Sequence, residues 1–139
     1  MQRVLFLCTH NSARSQMAEG LLRAWGGDRF EAHSAGVEAT EVRPLAVRAM
    51  AEIGVDIAGQ ASKRLDTYLG QPFDAAITVC DEAREACPFF PGAERQLHWS
   101  FDDPSAATGT EEERLAAFRR VRDEIGDRIR KELLSSPAG

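Results

Sequence analysis

A cysteine, five intervening residues, an arginine and a hydroxyl stand near the start of the chain, as Cys8-Thr9-His10-Asn11-Ser12-Ala13-Arg14-Ser15. A cysteine attacks as thiolate, and the planar fork of arginine grips two anion oxygens at once, which lysine cannot copy. A tight loop between these residues can aim successive backbone N–H groups inward as a nest for a tetrahedral oxyanion. A helix beginning beside Arg14 adds the partial positive charge of its N-terminus. The candidate anion ligands are therefore Thr9, His10, Asn11, Ser12, Ala13 and Arg14 around the candidate nucleophile Cys8. Ser15 is placed to donate a hydrogen bond to the Cys8 sulfur, and the same donors favour thiolate over thiol. The competing reading, a buried cysteine that merely closes a strand, is common for an isolated Cys. The full spacing argues against it.

Cys80 and Cys87 enclose a second segment, Cys80-Asp81-Glu82-Ala83-Arg84-Glu85-Ala86-Cys87, followed by Pro88. Three cysteines are too few, and too odd a number, for a disulfide scaffold. They are inert filler, metal ligands or redox chemistry, since a pair of thiols releases two electrons on becoming a disulfide. Structural zinc takes ligand pairs with about two to four residues between them. No such pair occurs, even with His33 or His98 added to Cys8, so no metal site is expected. Residues 81–86 are rich in helix formers and Pro88 suits a stop.

These groups need elements to position them. Arg3-Val4-Leu5-Phe6-Leu7 reads as a buried strand ending near Cys8. A helix follows from about Ala13, with Met17, Leu21, Leu22 and Trp25 on one face and Gly26-Gly27 as its stop. Residues 30–35 read as a short strand closed by Gly36. Pro44 opens a second helix, with Leu45, Ala49, Met50 and Ile53 as its apolar positions and Gly54 just past its end. Residues 60–71 read as loop with one short helix. Residues 73–79 form the best central strand, with Cys80 at its end, and residues 95–99 a further one. Thr110 with Glu113 announces a capping box for the last helix, whose core face is Leu115, Phe118, Val121, Ile125, Ile129 and Leu133. Residues 135–139 read as a frayed tail.

Alternating strands and helices with short connections predict an α/β fold, a single flavodoxin-like three-layer domain over residues 1–139. Its four-stranded parallel sheet takes the order 2-1-3-4, with helices on both faces. In that order the topology switches between strands one and three, where ligands bind beyond the carboxyl ends. Cys8 and Cys80 then meet at one crevice.

The totals fit this reading. The chain has 139 residues, 43% of them apolar and 28% charged, with a net charge of −5. No basic patch suggests nucleic acid, and an oxyanion would need a local positive site, because the whole-molecule field repels it. No stretch approaches the ~20 apolar residues of a membrane span. Val4-Leu5-Phe6-Leu7 is far short of an export signal, so the chain is expected in the cytoplasm, where thiols stay reduced.

The Cys8–Ser15 loop resembles the signature of low-molecular-weight protein tyrosine phosphatases and of their relatives, the thioredoxin-coupled arsenate reductases. Cys80 and Cys87 favour the second group, since a phosphatase has no use for two further thiols. The resemblance continues through Ser15-Gln16-Met17-Ala18-Glu19-Gly20, Ser34-Ala35-Gly36, Cys87-Pro88, His98-Trp99, Phe101-Asp102-Asp103-Pro104, the Thr110-Glu111-Glu112-Glu113 cap and Arg120-Val121-Arg122-Asp123-Glu124-Ile125. It implies that Cys8 attacks arsenate, that Cys80 attacks the arseno-cysteine adduct and releases arsenite, and that Cys87 resolves the resulting disulfide. It further implies that thioredoxin reduces the Cys80–Cys87 bond, with glutaredoxin as the second candidate. Arg14 clamps the oxyanion and Asp103 assists protonation of the leaving oxygen. Phosphate and sulfate are expected as competing oxyanions, and no bound cofactor is implied. In a helix, residues seven apart lie roughly 10 Å apart, whereas a disulfide tolerates Cα separations only to ~7 Å. A Cys80–Cys87 bond therefore requires any helix there to uncoil.

Four departures from the family pattern stand out. His10 replaces a common glycine and either adds charge near the anion or points outward, the commoner case for a loop residue. Ala13 replaces a further cysteine and leaves the relay intact. Lys63 stands where some relatives place an aspartate beside a potassium ion bound through residues matching Asn11, Glu19 and Ser34, so potassium is not expected. Ser105-Ala106-Ala107 replaces the aromatic wall of the tyrosine phosphatases. The alternative activity is that of a low-molecular-weight or small phosphate-ester phosphatase, and a different class is a non-catalytic sensor signalling through Cys80 and Cys87.

Overall fold

The computed structural model describes residues 1–81 and 88–135. Its centre is a parallel sheet built from β1 (Gln2–Cys8), β2 (Phe30–Gly36), β3 (Phe73–Thr78) and β4 (Ala93–His98), in the order β2-β1-β3-β4. This is the predicted order, with β1 and β3 as neighbours at the switch point. Val4 to Leu7 of β1 are wholly buried. A parallel strand covered on both faces can be apolar throughout, which is why this stretch shows no alternation.

Each face of the sheet has its own cluster. Val4, Phe6 and Cys8 point toward α1 (Arg14–Gly26), α2 (Pro44–Ala51) and α3 (Glu111–Ile129), whose Met17, Leu21, Met50, Leu115, Phe118 and Val121 fill one core. Leu5 and Leu7 point the other way, against Tyr68, Phe73 and Phe90. Here the cover among the described residues is a 3-10 helix, Leu65–Tyr68, the short helix expected within residues 60–71. Helices thus lie on both faces, unequally. Residues 82–86 of the expected helix and most of the expected tail over residues 135–139 fall outside the described residues. Among the described residues no helix is long and apolar enough to cross a membrane.

Two boundaries differ from expectation. The second helix stops at Ala51, and Ile53, expected on its core face, is 42% exposed. Gly54 has φ 79°, and its N–H donates to Ala51 O while that of Val55 donates to Met50 O. This Schellman closure satisfies the last carbonyls and puts Val55, rather than Ile53, against Met50. At the other boundary β4 starts at Ala93, earlier than expected, because it is an edge strand whose Glu94, Arg95 and Gln96 are exposed. Such an edge carries charge and no apolar alternation to read. The capping box forms as expected, Thr110 Oγ1 accepting from Glu113 N and Glu113 Oε1 from Thr110 N, each at 3.1 Å.

The smaller cluster carries a titratable chain. Arg3 Nε and His33 Nε2 both meet Glu31 Oε2 at 2.7 Å, and His33 Nδ1 lies 3.2 Å from the Tyr68 hydroxyl. The Arg3 hydrogen bond, then that of His33, holds Glu31 below the usual carboxylate range. With Nε2 donating to Glu31, Nδ1 is the acceptor and Tyr68 the donor. Burial, and secondarily the charge of Glu19, pushes Tyr68 up to about 12. Its folded value exceeds the ordinary value of about 10, so this contribution to stability is full below pH ~10 and is lost as pH rises through about 12. Tyr68 is the chain's one tyrosine. An ultraviolet phenolate titration should therefore show no ionisation at pH 10 in the folded protein and a rise coinciding with alkaline unfolding. Half-ionisation near pH 10 with the fold intact would contradict this.

Candidate active site

The loop between β1 and α1 is held from outside. Thr9 O accepts from Glu38 N at 3.0 Å, and His10 O from Ser62 Oγ at 3.2 Å and Thr40 Oγ1 at 3.4 Å. Asn11 O accepts from Gln16 Nε2 at 3.0 Å, Ser12 O from Arg43 N at 2.9 Å, and Ala13 O from Met17 N at 2.8 Å. The carbonyls of residues 9–12 are thus held by donors outside the loop, and that of Ala13 by the first turn of α1. The chain contains no cis peptide among its described residues. In a trans peptide the N–H opposes the carbonyl before it, so the N–H groups that follow turn inward. Inward N–H groups of this kind form a nest suited to an anion.

Asn11 makes the turn possible. It is fully buried and, among the described residues, is the one non-glycine residue with positive φ, 50°, a conformation asparagine tolerates better than most. Its Nδ2 donates to Ser15 Oγ at 2.8 Å and Ser34 Oγ at 2.9 Å, while Oδ1 accepts from Lys63 N at 2.6 Å and Gln16 Nε2 at 2.9 Å. Both protons and both lone pairs are used. Because a backbone N–H can only donate, Lys63 N fixes which way the amide faces. Ser15 Oγ receives the Asn11 proton, which leaves its own proton for Cys8 Sγ, 2.9 Å away. Cys8 is a buried free thiol.

A chain of charge lies behind this amide. Ser34 Oγ donates to Glu19 Oε1 at 2.5 Å, Arg23 reaches Glu19 Oε2 at 2.5 Å, and Lys63 Nζ lies 3.6 Å from Glu19 Oε1. The Glu19 side chain is 4% exposed, and a carboxylate so buried persists only with such partners. Lys63 Nζ also donates to Ala61 O at 2.8 Å. Gly36 completes the mould: a Cβ there would lie 2.7 Å from Asn11 N and 2.9 Å from Thr9 O.

On the open side, Thr9 and His10 line a cleft of about 700 Å³ with Val37, Asp81, Asp103 and Ala107. Arg14 is 3% exposed, donates to Phe101 O at 3.1 Å and has its NH2 3.8 Å from Asp103 Oδ2. Asp103 Oδ1 accepts from Ser105 N at 2.9 Å, so one oxygen is tied back while the other faces Arg14. His10 lines the cleft mouth with Nε2 3.7 Å from Glu38, closer to an outward orientation than to an anion ligand.

Cys80 is fully buried and engaged in a disulfide, and it shares one cluster with Cys8, Val79, Trp99 and Phe101. The fold therefore gathers Cys8, Arg14, Ser15, Asp103 and Cys80 at the carboxyl edge of the sheet, whereas Cys87 lies outside the described residues. His33 and His98 do not join Cys8. His33 is on the opposite face, paired in register with Leu5, and His98 Nδ1 meets Thr78 Oγ1 at 2.5 Å. Gln16 and Gln60 went unremarked as site residues. Gln16 bridges Asn11 and Ala61 O, and Gln60 Nε2 donates to Gln16 Oε1 at 2.8 Å. Polar residues inside a helical run carry no periodic signal, and a fully buried glutamine shows its role only through its partners.

A cysteine set in a backbone nest, with a buried arginine and an aspartate across the cleft, defines an enzyme of the cysteine-dependent phosphatase type. Residues 3–136 match the family described as low molecular weight phosphotyrosine protein phosphatase, and the chain belongs to it. Several of its relatives within that family are arsenate reductases. One from Halalkalibacterium halodurans is 52% identical over 127 residues, 91% of each chain, and one from Bacillus subtilis is 48% identical over 128 residues, 92% of each. A solved arsenate reductase in its phosphate binding state has a TM-score of 0.83 at 31% identity, over 97% of this chain and 98% of that one. A thioredoxin-dependent arsenate reductase from Corynebacterium glutamicum has a TM-score of 0.72 at 31% identity, over 97% of this chain and 61% of that one.

Replacing Asn11 by alanine should leave Lys63 N without its acceptor and take one of their two bonds from Ser15 and Ser34, at about 1–3 kcal/mol for the buried group left unsatisfied. The expected outcome is a clearly lowered denaturant midpoint and slower alkylation of Cys8 at neutral pH. Wild-type values for both would remove Asn11 from the centre of the site.

Proposed function

We propose that this protein reduces arsenate to arsenite through three thiols. Cys8 attacks arsenic in the cradle, an As–O bond breaks, and Asp103 protonates the departing oxygen as Arg14 holds the others. Cys80 then attacks the Cys8 sulfur. An S–S bond forms, the S–As bond breaks, and its electron pair stays on arsenic, which leaves as arsenite. Cys87 attacks Cys80, frees Cys8 and leaves a Cys80–Cys87 disulfide for an external dithiol to reduce. The observation that carries this reading is the burial of Cys8 and Cys80 in one cluster beside the cradle, the first a free thiol and the second disulfide-bonded.

Thioredoxin is the proposed reductant, by the likeness to the thioredoxin-dependent C. glutamicum protein. Glutaredoxin is the competing reductant, and a coupled assay with each protein distinguishes them. Phosphate and sulfate compete in the cradle. The second reading, a phosphatase, draws on Asp103 facing Arg14. The alanines Ala106 and Ala107 along that cleft offer no stacking surface for an aryl ring.

With thioredoxin, its reductase and NADPH, arsenate should drive NADPH consumption that Cys80→Ser or Cys87→Ser abolishes. Hydrolysis of a small phosphate ester should survive both changes. Arsenate turnover that persists in either variant would sink the relay. We further propose that the enzyme works without potassium, the Lys63 ammonium lying beside Glu19 where a cation would otherwise sit. Exchanging sodium for potassium at constant ionic strength should leave the rate unchanged, and a clear acceleration would refute it.

A further inference from the structure

The Pro104–Ala106 turn separates two clefts: Ala106 borders the one beside Cys8, and Ser105 borders another of about 270 Å³ between α2 and α3. The charged lining of this second cleft is Arg43, Arg48, Arg114 and Glu111, over a floor that includes Phe118. Arg48 is engaged by Glu111 at 3.2 Å. Arg43 and Arg114 make no side-chain ion pair or hydrogen bond among the described residues. Ser105 Oγ is buried there and has no hydrogen-bond partner among the described residues. The cleft is thus rich in donors and poor in acceptors, in a chain whose net charge is −5. Solvated surface arginines are common. Two guanidiniums lining one cleft beside an unanswered hydroxyl, with its single carboxylate already engaged, form a donor set that an acceptor-rich ligand matches.

We propose that this cleft is a second oxyanion site, distinct from the Cys8 cradle, for a compact tetrahedral dianion of the phosphate type. Its volume falls below the roughly 300–1,000 Å³ of pockets that enclose drug-sized ligands, which suits a small inorganic ion. Arginine forks match the paired oxygens of such an ion, and the single carboxylate present, Glu111, is already held by Arg48. The site adjoins the catalytic apparatus through its backbone. Arg43 N donates to Ser12 O in the cradle, and Ser105 N to Asp103 Oδ1, each at 2.9 Å. The inference rests on none of the redox chemistry proposed above.

Backbone amide NMR of the reduced protein, titrated with inorganic phosphate, tests it. Two groups of amides should shift along separate saturation curves, one around residues 9–15 and one around residues 43–48, 105 and 111–114. Arg43→Gln combined with Arg114→Gln should weaken the second curve roughly tenfold or more and spare the first. Both side chains are exposed, so thermal unfolding should be unchanged. Arg14→Gln should remove the first group and leave the second. A single group confined to residues 9–15 overturns the proposal. So does a second group that ignores the double variant, or one that vanishes with Arg14→Gln and is therefore only an echo of the cradle.

Discussion

The site depends on carbonyl groups being pulled outward. A loop that aims its N–H groups at one point places like dipoles side by side, an unfavourable arrangement without a bound anion. Here every carbonyl of residues 9–13 is claimed by a donor outside the nest or by the first turn of α1. The inward direction of the N–H groups is then the only one left to them. The loop is preorganised by its surroundings, so the anion need not supply the energy that shapes it.

Those surroundings come from distant parts of the chain. Glu38 and Thr40 follow β2, Arg43 precedes α2, and Ser62 and Lys63 lie on the strap that rejoins β2 through the Gly36–Arg64 bridge. Gly36 lets the loop itself press against the end of β2, since any Cβ would meet the backbone of Thr9 and Asn11. Asn11 binds these pieces into one unit by using all four of its hydrogen-bonding positions, and the route from Asn11 through Ser15 to Cys8 makes the nucleophile part of the same network. Behind it, Glu19 sits among Ser34, Arg23 and Lys63 as a buried anion whose charge is compensated locally. Removing a single partner from such a set costs more than the pair is worth when intact, because it strands the remaining charge.

The two faces of the sheet divide the work. The face with Val4, Phe6 and Cys8 carries three α-helices, and the nucleophile belongs to its core. The other carries the edge-to-face aromatic set of His33, Tyr68, Phe73 and Phe90, with ring centroids 5.2–5.8 Å apart. One strand, β1, serves both, and its end is where the chemistry is placed. The switch between β1 and β3 opens the crevice into which Cys8 and Cys80 both come.

Local rules sufficed wherever the cause was local. The close placement of Cys8, Arg14 and Ser15 could be read from spacing because a strand, a short loop and a helix leave few ways to arrange them. The Thr110–Glu113 box forms within a single turn, and the apolar run of β1 announces a doubly covered strand. Ile53 misled because its place depends on how Gly54 closes the helix, and β4 was hard to delimit because an edge strand needs no apolar alternation. Distant contacts were beyond reach. The face that His33 takes, the lock that Lys63 puts on Asn11 through its main chain, and the role of Gln16 all depend on which segments lie side by side. A sequence encodes such neighbours only through the whole fold, since a backbone N–H is the same in every residue but proline and acquires its function from what it faces.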